Sequence, residues 1–488
     1  MNTSIIRYIL GHVLKIESLL MLLPCLISLI YGESQGIAYL ISAIICGTTG
    51  VLLTIKKPDN TTFYLKEGCV ATALSWITLS IFGAFPFMLS GEIPSFVDAL
   101  FETVSGFTTT GASILTDVEA LSYTSLFWRS FTHWVGGMGV LVFLLAVIPL
   151  SGSSSFNLMK AESPGPSVGK LVPTVKYTAR FLYGIYIVIT IVEFLLLIIG
   201  KMPVFDALTT SFGTVGTGGF GIKNDSLASY SPYIQWVVTI FMLLSGINFN
   251  LYYFILIKQF KKAFKIEEVK YYLLIIATVI CIIIVNTFST IDNLSTTIRD
   301  ASFQVVSVMT STGFATSDFN QWNETSRFIL VLIMFIGACA GSTGGGIKVS
   351  RFVVAVKTIG KEINSFIHPR SIKKINIDKK PVEHEVVRSV NVFFITYMLV
   401  FSFSLFILTF EGKDLITNFT AVTATINNIG PGLELVGPTG NFSCFNPLSK
   451  IILIFDMLAG RLELFPLLLT LHPGLWKNTI ISKKNKKN

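Results

Sequence analysis

Residues 98–112 read DALFETVSGFTTTGA: an acid, a short apolar stretch, and a run of threonines that ends on a glycine. The pattern returns twice without gaps. Asp98-Ala-Leu-Phe leads to Thr110-Gly111, Asp206-Ala-Leu-Thr to Gly218-Gly219, and Asp300-Ala-Ser-Phe to Thr312-Gly313, and each time the glycine follows the aspartate by 13 residues. A fourth stretch, Phe419-Thr-Ala-Val-Thr-Ala-Thr425, runs into Asn427-Asn428-Ile429-Gly430 without the matching aspartate. Successive glycines stand 108, 94 and 117 residues apart. One Thr-x-Gly in a loop is ordinarily a turn, but four copies at one position of a repeated unit define an architecture.

The sequence around these units is apolar. Of 488 residues, 52% are apolar and 13% charged, against about 25% charged in soluble domains. Segments such as 178–200 and 390–410 meet the requirement of about 20 apolar residues for a bilayer span. Ten spans are expected, near 8–31, 36–56, 68–90, 125–150, 178–200, 233–257, 271–289, 328–357, 390–410 and 449–471. The first lacks a small-residue cleavage site and reads as a retained span, not a removed signal peptide. This pattern excludes a soluble enzyme, a secreted disulfide scaffold and a disordered adaptor. Cys25, Cys46, Cys69, Cys281, Cys339 and Cys444 are dispersed with no CxxC pair, and the five histidines form no HExxH, so neither a disulfide framework nor a zinc site is expected.

Charge orients the spans. Sorted by alternate sides, 29 of the 37 Lys/Arg fall on the side of the termini, seven fall on the other, and Arg461 lies within a span. Basic loops stay cytoplasmic, so both termini are expected inside, and the net charge of +9 reads as topology; no nucleic-acid partner is expected. The opposite side carries 15 Asp/Glu, and an acidic mouth would concentrate cations. The basic segments 151–177, 258–270, 357–388 and 477–488 could dock a cytosolic partner or anionic membrane lipid.

The stretches near 96–107, 204–214, 299–310 and 415–426 are too short to cross a membrane. Each is expected to enter and return on the outer side, with Asp98, Asp206 and Asp300 at helix N-termini, where an acid is favoured. Non-helical backbone at such depth is tolerated around a water-filled path, and glycine permits conformations that turn consecutive carbonyls toward one axis. Four such strands would replace the water shell of a monovalent cation. The expected fold is an all-α polytopic membrane protein: four pseudo-repeats of helix, pore loop and helix around a central pore, plus two N-terminal transmembrane helices. Its divisions fall at 1–66 for the N-terminal pair, 67–177, 178–268 and 269–385 for three repeats, and 386–488 for the fourth with its tail.

Thr108-Thr-Thr-Gly-Ala112, Gly216-Thr-Gly-Gly-Phe220, Thr310-Ser-Thr-Gly-Phe314 and Asn427-Asn-Ile-Gly-Pro431 resemble the four pore loops of the Trk/Ktr/HKT potassium transporters. The resemblance covers essentially the whole chain. The two extra N-terminal spans and the segment Glu162-Ser-Pro-Gly-Pro166 point to the TrkH/TrkG branch. It implies a potassium uptake subunit of the bacterial inner membrane, not an enzyme. Potassium would be the transported ion, held by backbone carbonyls of Thr109, Thr110 and Gly111; Thr217, Gly218 and Gly219; Ser311, Thr312 and Gly313; and Asn428, Ile429 and Gly430. It further implies a homodimer with one pore per chain, working with a cytosolic TrkA-type nucleotide-binding regulatory subunit; the nucleotide belongs to that partner, and this chain needs no cofactor. A serine in the first filter accompanies sodium passage in this superfamily, so Gly111 favours potassium. The glycine-heavy second filter and the Asn-Asn of the fourth make the four-fold symmetry only approximate, so strict discrimination against sodium does not follow from the sequence.

The eighth apolar run contains Gly337-Ala-Cys-Ala-Gly341-Ser342-Thr343-Gly344-Gly345-Gly346-Ile347. Each glycine in a helix interior costs roughly 1 kcal/mol against alanine, so a break is expected here. Gly337 and Gly341 alone also fit a small-residue packing face. Arg461 lies in Asp456-Met-Leu-Ala-Gly-Arg461-Leu-Glu463, where a charge is costly and faces a cavity or a partner. The residues alone allow a local ion pair with Asp456 or Glu463, or a cation beside the ion path. The resemblance makes residues 341–346 an intramembrane gating loop and Arg461 its electrostatic barrier. Lys348 and Arg351 follow the break and could hold it, though cytoplasmic topology accounts for them equally. Glu17 is expected in a surface pair beside His12 and Lys15. Buried Glu193 and Asp456 leave open a symporter coupling H⁺ or Na⁺ to potassium; scattered His and Cys argue against a membrane-embedded enzyme.

Overall fold

The computed structural model describes residues 1–58, 64–139, 175–287, 293–370 and 374–476. The inner half of the expected span 125–150, the Glu162–Pro166 segment and the tail from 477 lie outside them. Among the described residues, six helical stretches are long and apolar enough to cross a membrane: Thr3–Tyr31, Gly36–Thr54, Leu65–Leu89, Ala179–Ile199, Glu267–Thr287 and His384–Glu411. A seventh exists if Pro232–Ser245 and Phe249–Leu256, bent by 89°, count as one span. Outward side chains on these helices are large and apolar, with Leu29 and Val285 each 79% exposed. That surface is costly in water and costs nothing against lipid tails.

Three of the expected spans are broken, two of them without having been expected to be. At 246–248 the first helix closes by Gly246 N donating to Met242 O (3.0 Å), and Asn248 caps the next by accepting from Asn250 N (2.9 Å). At 462–464, Glu463 and Leu464 adopt left-handed φ of 63° and 62° before Pro466 opens another helix. The third break is the expected one, between Glu324–Met334 and Val349–Ile367.

The two N-terminal helices cross at glycine. A side chain on Gly50 would meet Gly11 O at 2.8 Å, and one on Gly11 would meet Thr54 Cγ2 at 2.6 Å, the close small-residue crossing found between helices in lipid. Here Glu17 departs from its expected surface pairing: it is 1% exposed, with Cys46 Sγ 3.6 Å from its carboxylate. The hairpin packing covers that face of the helix. A large apolar cluster joins this N-terminal pair to elements of the first and fourth repeats, including Trp76, Phe101, Phe442 and Met457. A second joins the second and third through Val238, Tyr272, Phe303 and Met334.

The four short helices are present as Phe96–Phe107, Val204–Val215, Leu294–Met309 and Leu415–Ile426. Asp98 and Asp206 occupy first turns. Asp300 does not: Asn293 caps the third helix seven residues before it, and Asp300 contacts Arg299 Nε at 3.5 Å. The fourth helix has an acid after all, because Asp414 accepts from Thr417 N at 2.8 Å as its N-cap.

Candidate functional site

Every short helix ends in the same way. In the first, Thr109 N donates to Gly106 O (3.0 Å) and Thr110 N to Ser105 O (2.8 Å). The pair recurs as Thr217 to Thr214 with Gly218 to Gly213, Ser311 to Val308 with Thr312 to Ser307, and Asn428 to Thr425 with Ile429 to Ala424. This is the Schellman ending, which places its next residue in the left-handed region and ordinarily uses glycine there. Here that residue is Thr109, Thr217, Ser311 or Asn428, with φ of 55°, 54°, 56° and 54°. Each costs roughly 1–2 kcal/mol, and strain repeated at four equivalent positions marks function.

Two residues later φ is positive again, at Gly111 (79°), Gly219 (76°), Gly313 (86°) and Gly430 (94°), with an ordinary φ between. Alternating signs of φ turn successive carbonyls to one side instead of to opposite faces, as in a strand. The four segments also touch in cyclic order. A side chain on Gly111 would strike Gly218 O, one on Gly219 Thr312 O, one on Gly313 Ile429 O, and one on Gly430 would come within 2.7 Å of Thr110 O. The ring is closed, and its glycines are required both by φ and by the neighbouring carbonyl.

On one side the ring opens into a cavity of about 160 Å³ walled by the four glycines and the residues after them. Contrary to the acidic mouth expected, Arg129 and Lys223 line this wall and no carboxylate does, among the described residues. The nearby acids are engaged: Glu102 pairs with buried Arg129 at 2.7 Å and accepts from Ile114 N at 3.0 Å, while Asp117 and Glu119 hold Asn224. Tyr230 donates to Asp206 at 2.7 Å, and burial together with that bond pushes its phenol well above the ordinary range. It remains a donor throughout the physiological pH range.

Behind the ring, Asn428 Nδ2 donates to Thr110 Oγ1 and to Met457 O, both at 2.9 Å, and Tyr397 donates to Asn427 Oδ1 at 3.1 Å. The fourth segment's amides thus do work that hydroxyls do elsewhere. Beneath the ring lies the Gly341–Gly346 stretch, with Gly341 and Gly346 both at φ 70°. A side chain on Gly344 would meet Thr310 O at 2.8 Å, and one on Gly345 would meet Asn427 O at 2.8 Å. Gly345 N donates to Ser311 Oγ. Lys348 Nζ donates to Gly344 O, and to Gly345 O at 3.2 Å.

Arg461 reaches this stretch from the neighbouring fourth repeat. Its guanidinium donates to Thr343 O (2.8 Å) and Gly137 O (2.9 Å), and it also bonds Gly136 O. Of the acids that could have paired with it, Glu463 pairs with Arg351 and Asp456 accepts from Ser404 Oγ at 2.7 Å. Sequence reasoning missed Glu268, which accepts from Ala340 N (2.7 Å) and Ser350 N (3.0 Å) and so clamps both ends of the break. Its signal was an acid placed at the mouth of an apolar run. His133, beside the second segment, was missed as well. Glu193 is fully buried and, among the described residues, forms no ion pair; the Thr214 side chain is the donor its carboxylate faces.

Fold and ring together define a mostly helical membrane protein, not the all-α one expected, since Asn376–Ile377 and Lys380–Pro381 pair as a short antiparallel hairpin; its repeated units close a ring of backbone carbonyls. The family model of the TrkH cation transport proteins matches residues 34–477, and the chain belongs to that family. It is 36% identical over 485 residues to the Trk system potassium uptake protein TrkH of Salmonella typhimurium, covering 98% of this chain and 100% of that one. The Trk system potassium uptake protein TrkG of Escherichia coli is 34% identical over 491 residues, again with 98% and 100% covered. The crystal structure of the potassium transporter TrkH from Vibrio parahaemolyticus superposes with a TM-score of 0.88 at 30% identity, covering 98% of this chain and 100% of that chain.

Proposed function

We propose that this chain takes up potassium across the bacterial inner membrane through the glycine ring, acting as a selectivity filter of four re-entrant pore loops set among ten spans. The observation that carries this reading is the closed cycle of four glycines, each against the next segment's carbonyl, with paired positive φ in every copy. Carbonyls aimed at one axis can replace the hydration shell of a potassium ion. The membrane potential drives entry, supplying about 2.3 kcal/mol per charge for each 100 mV. The relatives named as potassium uptake proteins support the choice of ion.

In this reading Gly341 to Gly346 form the gate. Lys348 and Arg461 place positive charge against it, which opposes a cation until the loop moves. The protein works as a homodimer with both termini cytoplasmic, and a cytosolic nucleotide-binding subunit of the TrkA type sets the gate. The five divisions of the chain correspond to an N-terminal pair of spans and four repeats. A coupled symporter is the second reading, and the fully buried carboxylate of Glu193, without a basic partner among the described residues, is what favours it.

Growth of an uptake-deficient bacterium at low potassium tests the proposal. The wild-type chain with its regulator restores growth, and Gly313→Ser loses that ability. Equal rescue by the glycine variant would sink the filter.

A further inference from the structure

The second repeat departs from its siblings behind the ring. In the first and third repeats two threonines back the strand, with the hydroxyls of Thr108 and Thr110 2.8 Å apart and those of Thr310 and Thr312 2.7 Å apart. The equivalent residues of the second repeat are Gly216 and Gly218. Two side chains and one hydroxyl pair are therefore missing there, and an unfilled space of that size would leave the strand unsupported.

The space is filled from another repeat. His133, on the helix Tyr123–Gly137, is fully buried. A side chain built on Gly218 would run into its imidazole, striking Nδ1 and Cγ and lying 2.5 Å from Cε1; one built on Gly216 would lie 2.5 Å from His133 O. A single residue thus occupies the room of both threonines. The ring itself is held in place. It stacks on Phe220, just after the filter glycine, at 4.2 Å and 21°, and Phe220 N points at Nδ1 from 3.5 Å. Arg129, one turn earlier on the same helix, lies over that phenyl ring at 4.1 Å and bonds Gly221 O at 3.2 Å.

We propose, on the footing of the filter reading above, that His133 is the positioning residue of the second filter strand. It takes the place of the missing threonine pair and fixes the Gly218 carbonyl against Gly111. The glycine-rich second filter and the buried histidine are two halves of one arrangement. Discrimination between potassium and sodium therefore depends on a side chain that touches no ion.

The test uses the full-length chain in membranes, reading protein abundance and the potassium-to-sodium permeability ratio from reversal potentials. His133→Ala reaches the membrane but lowers the ratio by about tenfold, the size expected when directly contacting groups are uncoupled. His133→Phe keeps the stacked ring and stays near wild type. Gly218→Thr abolishes potassium transport while His133 is present, and the double variant His133→Ala with Gly218→Thr regains it, because the threonine enters the vacated space. A wild-type ratio in His133→Ala overturns the proposal. So does a double variant no better than Gly218→Thr alone, which also decides the matter if His133→Ala fails to accumulate. Gly313→Ser separates the two levels of the argument. An unchanged ratio there removes the filter reading and this inference with it, whereas a lowered ratio there beside an unchanged His133→Ala removes the inference alone.

Discussion

A methyl group on Gly111 would oppose the ring in two ways, because the backbone sits at φ 79° and the neighbouring Gly218 carbonyl fills the space. Gly32 has nearly the same conformation, φ 69°, but nothing within 4 Å of where its side chain would go. The comparison isolates packing from backbone strain. Gly32→Ala should cost about 1 kcal/mol of stability and leave transport intact, whereas Gly111→Ala should abolish uptake; flux assays at matched membrane abundance check both. Among single residues, the glycines were legible because a repeated spacing marks them. Glu17, Glu268 and His133 were not. Their roles depend on which helix lies opposite, and no spacing along one chain reports that.

Helix ends and breaks carry the next level of the argument. Asp414 is the clearest capping case. Two hydrogen bonds from Thr417 hold its carboxylate below the usual range, so its contribution is complete at neutral pH and is lost only as pH falls through that lowered value. Asp414→Ala should therefore lower thermal stability by about 1 kcal/mol equally at pH 6 and pH 8, while Asp414→Asn, which can still cap, should hardly change it. The glycine stretch 341–346, proposed above as the gate, carries a functional prediction. Arg461 donates to Thr343 O and to the carbonyls of Gly136 and Gly137, tying the loop to two other repeats. Arg461→Ala should raise basal potassium flux in the absence of the regulator, and unchanged flux would remove the barrier role. Glu268→Gln keeps the side chain's shape but weakens its bonds to Ala340 N and Ser350 N, and should raise basal flux to a lesser degree. The glycine run announced the break at 335–348 through helix propensity. The breaks at 246–248 and 462–464 gave a weaker warning, because a single Gly246 before a capping Asn248, and Pro466 after two residues at positive φ, interrupt an apolar run less visibly than a run of glycines.

At the scale of the molecule, a repeat was legible in the sequence, since three copies share one spacing between acid and glycine and a fourth stretch ends on a glycine after a similar run. What the plan concealed is how unequal the units are. The ring is backed by threonine hydroxyls in two repeats, by asparagine amides in the fourth, and by a borrowed histidine in the second. A ring of four carbonyl segments with different backing still makes one central claim, that a single potassium-selective path runs along its axis without a coupled ion. The most direct measurement is the reversal potential of the purified chain in liposomes, with its regulator, as external potassium, sodium and pH are varied in turn. The account predicts a shift of about 59 mV for each tenfold change in potassium, with little response to sodium or pH. A reversal potential that tracks the proton or sodium gradient as well would contradict it and place Glu193 in a coupled transporter.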